Sequence, residues 1–496
     1  MKKIKYIIMS VLFMGIASSC NDAIDIVQDG ELGNEVTFQT VADLQQYLVG
    51  GVYPNVSTTS EIGFTTVFTD EVGIGPNNGG QGIDLHRFNL NASTGDASSL
   101  WLSHYRLINR VNRLLQGAAL VTPVVDVANS IDETAEYNDI MAQGRALRAY
   151  AYIQLVSYFS TDMADDSALG VMLVDIVPAI DQKFPRVSNG EIYALVEEDL
   201  AYARANVLKQ TPAAGYKFVT KSMVDALTAR MYIYRKNYPM AKQFAQSVVT
   251  DAGITLSAPN VYKQMWADGI GGEIIFAISR PISGTWGNVA STWYFNNTNA
   301  TGGAFFDMGR NLYNLYATGD SRKTTFVDPT KMEDANYLTS STYITTDVLP
   351  IDKYPGKGNQ PLRNDLKVIR LSEMHMILAE CAAKDGDLNG VAGYIKNIRD
   401  ARYTSVQPLP AYSDVTAAWA DIMLERRKEF AFEGFRYIDI KRLGTLANQS
   451  IDRNITDDLI KTLPTTISNT DYRFTLPIPQ DEISASGSII VQNPNY

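Results

Sequence analysis

The stretch from Asp421 to Gly444, DIMLERRKEFAFEGFRYIDIKRLG, constrains the fold of this chain more than any other. Trp419, Ile422, Met423 and Phe430 recur at helical spacing, so one stripe of the segment must face a core. Beside that stripe stand Glu425, Arg426, Arg427, Lys428, Glu429 and Glu433, too many charges to leave simply in water. Gly434 is a stop signal, and Phe435, Tyr437 and Ile440 carry the apolar pattern beyond it. Charges this close to aromatic rings are costly to bury singly and tolerable in pairs. The spacing suggests Glu433 with Arg436, or Asp439 with Arg442. An aromatic helix–turn with internal ion pairs is the expected local structure.

The remaining chain offers ample material for a core, with 496 residues, 45% of them hydrophobic. A formal charge of −11 argues against nucleic acid or anionic lipid as partners, since both need clustered cations. Two cysteines cannot build a disulfide framework. Cys381 lies in the apolar helical context ILAECAAKDG and reads as an inert buried thiol.

Helices dominate the expected fold. A first one covers Val41 to Val49 and ends at Gly50-Gly51. Leu100 to Ala118 places Trp101, Tyr105, Ile108, Val111 and Leu115 on one face, and Tyr137 to Phe159 is another long helix. Ser188 and Glu191 form a capping box. From Thr220 to Lys236 runs a helix whose Ala229 and Tyr232, with Tyr238, Ala241 and Ala245 beyond, fall at the small–aromatic–small spacing of a tetratricopeptide unit. Residues 379–399 repeat that layout.

Two regions break the helical pattern. Residues 60–99 are rich in Gly, Asn, Ser and Thr, which is loop chemistry. Residues 251–365 carry aromatics among Gly, Asn, Thr and Pro, with one strand-like run, EIIFAISR. An insert of this kind sits on one face of a helical scaffold, where binding loops are usually found.

Catalytic and metal-binding signatures are missing. The three histidines, His86, His104 and His375, are scattered, and no HExxH, CxxC, GxSxG or Walker loop is present. Glu429 and Glu433 are one helical turn apart, but a glycosidase needs carboxylates flanking a cleft. No catalytic residue, metal ligand or cofactor is assigned. What the two long loops do supply suits sugar, whose apolar faces meet aromatic platforms and whose hydroxyls meet Asn, Asp and Arg. The candidate ligand residues are Trp286, Trp293 and Tyr294 in the insert, with Asp70, Asn77, Asn78 and Arg87 in the first loop. Trp266 follows a helix and is expected in the core. Trp293 and Tyr294 are adjacent, so in extended backbone only one of them faces a ligand.

The first 20 residues, MKKIKYIIMSVLFMGIASSC, show a basic start, a short apolar run and small residues before a cysteine. They resemble a bacterial lipoprotein signal, with Ala17 where leucine is more usual and with Cys20 as the acylated residue. The Asp421–Gly444 stretch closely resembles the hallmark segment of the SusD-like (RagB/SusD) family, of the form ERRxELAFEGxRxxDLxRxG. Trp101 to Asn112, GRALRAYAYIQLVSYF and the tail PIPQDEISASGSIIVQNPNY also resemble family motifs.

That resemblance implies a mostly α, tetratricopeptide-like helix-pair scaffold with long loop-rich insertions and little β. It implies a signal peptide over 1–19, a lipidated tether over 20–40 and a single domain over 41–496. Within the domain the helical scaffold would span 100–250 and 366–444, with 251–365 as the ligand-facing insert. It further implies an outer-membrane lipoprotein facing the cell exterior. Such a protein captures glycan and delivers it to a SusC-like TonB-dependent transporter. Alternatives are peptide or other non-sugar cargo, a purely structural adaptor for the transporter, and a secreted glycoside hydrolase.

Overall fold

Amphipathic helices of this length bury their apolar faces by pairing, and successive antiparallel pairs build the scaffold. The computed structural model describes residues 37–283, 293, 304–358, 363–461 and 464–496. Cys20, the leader, Trp286 and Tyr294 therefore lie outside the described residues.

The first helix, α1 (Val41–Tyr47), opens with a capping box between Thr40 and Asp43. Gly50-Gly51 does not end it, because the chain continues as a π-helical turn over Leu48–Val52. A side chain on Gly51 would meet the Tyr47 ring at 3.2 Å, so this glycine serves close approach rather than termination. Next comes α2 (Thr59–Phe68), inside the stretch expected to be loop. Seven of its ten residues are buried, among them Glu61, Thr65 and Thr66, so it has no exposed stripe to announce it.

The long helices α3 (Gly95–Ala118), α4 (Thr134–Phe159) and α5 (Asn189–Asn206) pack in sequence, and the Ser188–Glu191 capping box opens the last as expected. Two hairpins follow the tetratricopeptide plan. In the first, α6 (Lys221–Tyr234) pairs with α7 (Tyr238–Asp251) through the fully buried Ala229, Ala241 and Ala245. In the second, α8 (Leu371–Lys384) pairs with α9 (Leu388–Arg402), and α7 packs on α8 to join them. Asn237 and Asp387 cap the second helix of each hairpin. Cys381 is buried in the second, its thiol pushed up to about 12 by burial. The insert is tied back to the scaffold by strand Ile274–Ile278, antiparallel to Leu366–Arg370.

The charged stretch forms α10 (Val415–Glu429), a tight turn, and α11 (Arg436–Ala447). Phe432 (φ 64°) and Gly434 (φ 85°) both take left-handed backbone in that turn. The Gly434 carbonyl accepts from Tyr158 Oη at 3.1 Å and Thr65 Oγ1 at 3.3 Å. The Phe432 N–H donates to Glu71 Oε1 at 3.0 Å, and Lys353 Nζ donates to the Ala431 carbonyl at 2.6 Å.

The ion pairs of this stretch reach outward. Asp439 lies 3.5 Å from Arg442, as the spacing suggests, and 2.8 Å from Arg426. Glu433 instead pairs with Lys353 (2.7 Å) and Arg370 (2.6 Å), while Arg436 holds Asp70 (2.8 Å). Glu429 accepts from Arg370 and Arg402, each at 2.8 Å, and from Arg322 at 3.2 Å. Burial alone would raise its carboxyl, but the guanidiniums of Arg402 and Arg370 hold it well below 4.5. Glu425, buried beside Arg322 and Arg399, is held down at about 2.

A methyl group added at Gly434 would sit 3.1 Å from Glu61 Cβ, in backbone that L residues resist. Gly434→Ala should therefore cost about 1–3 kcal/mol in urea unfolding. Glu429→Ala, which removes one of the two carboxylates shared by Arg370 and Arg402 and leaves three buried guanidiniums under-compensated, should cost about 3–5 kcal/mol in the same measurement.

A candidate polar groove beside the first loop

After α2 the chain is fixed before it opens into loop. Asp70 takes a two-pronged bond from Arg436 (Nε 2.8 Å, Nη2 2.9 Å), and Arg427 lies 3.2 Å away. Despite the opposing effect of burial, these guanidiniums hold the Asp70 carboxyl well below its usual range. Glu71 next to it receives the Phe432 N–H, and burial pushes its carboxyl up to about 7.

Strand Val72–Ile74 then pairs antiparallel with Phe306–Met308 of the insert, Gly73 opposite Asp307. Beyond the strand, Gly75 N donates to the Phe305 carbonyl (2.8 Å) and Asn77 N to that of Ala304 (3.1 Å). A Cβ on Gly75 would lie 2.5 Å from the Ala304 oxygen, so only glycine permits this seam. Asn78 Nδ2 adds bonds to the carbonyls of Gln81 (2.8 Å) and Phe305 (2.9 Å). The two regions singled out for binding are thereby joined edge to edge.

The loop continues as one helical turn, Ile83–His86, and then as turns closed by their own side chains. Asn91 Oδ1 accepts from Ser93 N at 2.9 Å, an arrangement that asparagine favours in turns. The Ala92 carbonyl accepts from Gln480 N at 2.9 Å, tying the loop to the C-terminal region. Opposite it, Asp471 caps a short 3-10 turn at Tyr472–Phe474.

Between the loop and that turn lies an open groove of about 800 Å³. Asp84, Asn89, Asn91, Ser93 and Asp96 give it a polar lining, and Tyr472 stands at its side. The Tyr472 ring is 43% exposed and braced edge-on by Tyr496 at 5.2 Å, so it offers an aromatic surface already fixed in place. Below, the Phe88 ring is buried under the Arg453 guanidinium, 4.1 Å from its centre.

The expected ligand residues divide. Asn77 is exposed at the loop, while Asn78 is buried and spent on backbone. Arg87 is partly exposed and bonded through two nitrogens to Asp458 (3.2 and 3.1 Å). Asp70 is an interior carboxylate saturated by arginines, so the expectation of a solvent-facing sugar acceptor is corrected there. Trp293 is corrected likewise. Its ring is fully buried against Tyr354 and Phe432, with no open face for a sugar. Trp266 is core, as expected. Tyr472 went unnoticed because only folding brings it beside residues 84–96. Asp84, Asn89, Asn91 and Asp96 lay within the loop already flagged.

The fold is a scaffold of paired helices with a polar groove set on its loops. The model of the SusD family matches residues 339–496. "SusD-like protein P2" of Formosa agariphila is 24% identical over 539 aligned positions, covering 100% of this chain and 99% of that protein. A SusD superfamily protein from Bacteroides thetaiotaomicron superposes with a TM-score of 0.75 at 23% identity, over 92% of this chain and 100% of that one. A SusD-like carbohydrate binding protein from Bacteroides vulgatus does so with a TM-score of 0.69 at 20% identity, over 91% and 97%. The chain is thus similar to SusD-like proteins along its length and shares the fold of the solved SusD superfamily structures.

The seam beneath the groove carries a pH signature. Burial, with the nearby Asp457 and Asp347 carboxylates, pushes Asp307 up to about 8, and its Oδ2 accepts from Leu349 N at 3.1 Å. Because the folded state keeps this proton, its contribution is complete below the ordinary value of 3.8 and is lost as pH rises toward 8. Asp307→Asn should flatten the decline in stability across that window by up to about 1.4 kcal/mol per pH unit, measured by urea unfolding across the pH range.

Proposed function

We propose that this protein captures oligo- or polysaccharide at the cell surface and passes it on without cleaving it. The observation carrying this reading is the open polar groove, with an exposed, braced tyrosine beside Asn, Ser and Asp side chains, on a SusD-like scaffold. A sugar ring stacks on the aromatic face while its hydroxyls exchange water for these polar groups. The carbohydrate-binding relative from Bacteroides vulgatus supports the same reading. Asn77, at the rim of the seam, and Trp286 and Tyr294 of the insert belong to the proposed contact set.

The remaining assignments complete the proposal. Residues 1–19 act as signal, Cys20 is acylated, and 20–40 tether one domain, 41–496, to the outer membrane. No helix among the described residues is long and apolar enough to cross a membrane. A SusC-like TonB-dependent transporter is the proposed recipient, with the groove turned toward the exterior and the scaffold helices supplying the contact. Peptide or another non-sugar nutrient is the second reading. It is favoured by a separate apolar cleft of about 340 Å³ lined by Tyr105, Ile108, Met172, Val174, Phe184 and Ile490.

Affinity electrophoresis or calorimetry of the chain without its leader, against a polysaccharide panel, tests the proposal. Tyr472→Ala should weaken glycan binding about three- to tenfold while leaving the fold intact. A parallel assay for new reducing ends should stay flat. Product formation would decide for a hydrolase, and binding of peptides alone for the second reading.

A further inference from the structure

We infer that the groove selects uncharged or amino-bearing glycans and rejects polyanionic ones, such as polyuronates and sulfated polysaccharides; this rests on the glycan-capture reading of the same groove. The argument is a count of charges that a ligand would meet. Asp84 and Asp96 both line the groove and are exposed to it. Among the described residues, the one cation in the lining is Arg473. Its Nε and Nη2 are bonded to Asp471 (2.7 and 2.8 Å) and its Nη1 to the Phe88 carbonyl (3.0 Å). This guanidinium is neutralised in place and holds the groove's wall together.

The cations just behind the lining are committed too. Arg87 is paired with Asp458. Arg453 is buried, with Nε bonded to the Thr69 carbonyl (2.7 Å) and Nη2 to that of Phe68 (2.8 Å).

A carboxylate or sulfate entering the groove would therefore lose water, meet two carboxylates and find no unspent cation. Recognition of such anions elsewhere relies on the bidentate fork of arginine, which here is occupied. An amino sugar's ammonium, by contrast, would find Asp84 or Asp96 as partner. Selection works through repulsion as much as attraction.

Calorimetry of the leaderless chain would compare a neutral glucan, a neutral mannan, chitosan oligosaccharide, polygalacturonate and a sulfated galactan. Neutral or amino-bearing polymers should bind, and the two polyanions should bind at least about tenfold more weakly. Asp84→Asn combined with Asp96→Asn should raise the ratio of polygalacturonate to neutral-polymer affinity about tenfold. Tight binding of either polyanion to the unaltered chain would overturn the selectivity alone, as would an unchanged ratio in the double variant. No binding to any of the five would overturn the capture reading and the selectivity with it.

Discussion

The carboxylate of Glu429, shared by Arg370, Arg402 and Arg322, is the interaction on which the architecture turns. Its partners come from the end of the strand that anchors the insert, from the last turn of the second hairpin, and from the insert itself. Glu273, just before the insert's first strand, closes the ring by pairing with Arg370 (2.6 Å) and Arg402 (2.8 Å). Opposite charges of this kind must be placed together or not buried at all, since a lone buried charge is far costlier than a pair. The network therefore links the second hairpin, the insert and the terminal helices through buried charge. In this arrangement of hairpin, insert and terminal helices, each of these groups is paired.

From this knot the organisation passes along the chain to the groove. The turn after α10 fixes Glu71 through the Phe432 N–H, and α11 fixes Asp70 through Arg436. A few residues later the backbone is stitched to the insert at Gly75 and Asn77. A loop rich in Gly and Asn, which would otherwise carry a large entropic cost on binding, is thus held at its base and again at Ala92. Preorganisation of a polar surface is what such a loop needs in order to bind a flexible, well-solvated ligand.

Much of the scaffold was legible in sequence, because helices with one buried face declare themselves by spacing. That is why α3, α4 and the two alanine-rich hairpins emerged as expected. The helix at Thr59–Phe68 did not, since it is buried nearly all round and its Thr and Gly residues look like loop. Local pairing was legible for Asp439 with Arg442. It failed for Glu433, whose partners Arg370 and Lys353 lie far away along the chain. Of the candidate groove, the loop that lines it was legible as a region, and the individual residues were not. Composition marks a loop as polar, but it cannot say that Asp70 will turn inward to arginines or that Trp293 will pack on Tyr354. Nor can it bring Tyr472 to the loop's side.

The depth at which charges sit divides this protein into two electrostatic regimes. The knot around Glu429 is out of reach of dissolved ions, and mobile salt screens only what it can approach. Asp84 and Asp96 line an open groove that solvent enters, and the screening length there shrinks from about 10 Å to about 3 Å between 0.1 M and 1 M ionic strength. In brine the fold keeps its internal pairing while the groove becomes electrically quiet. Under the proposed capture of glycans, discrimination would then rest on the shape of the groove and the face of one tyrosine, so selection would lean on charge in dilute media and on contact in concentrated ones.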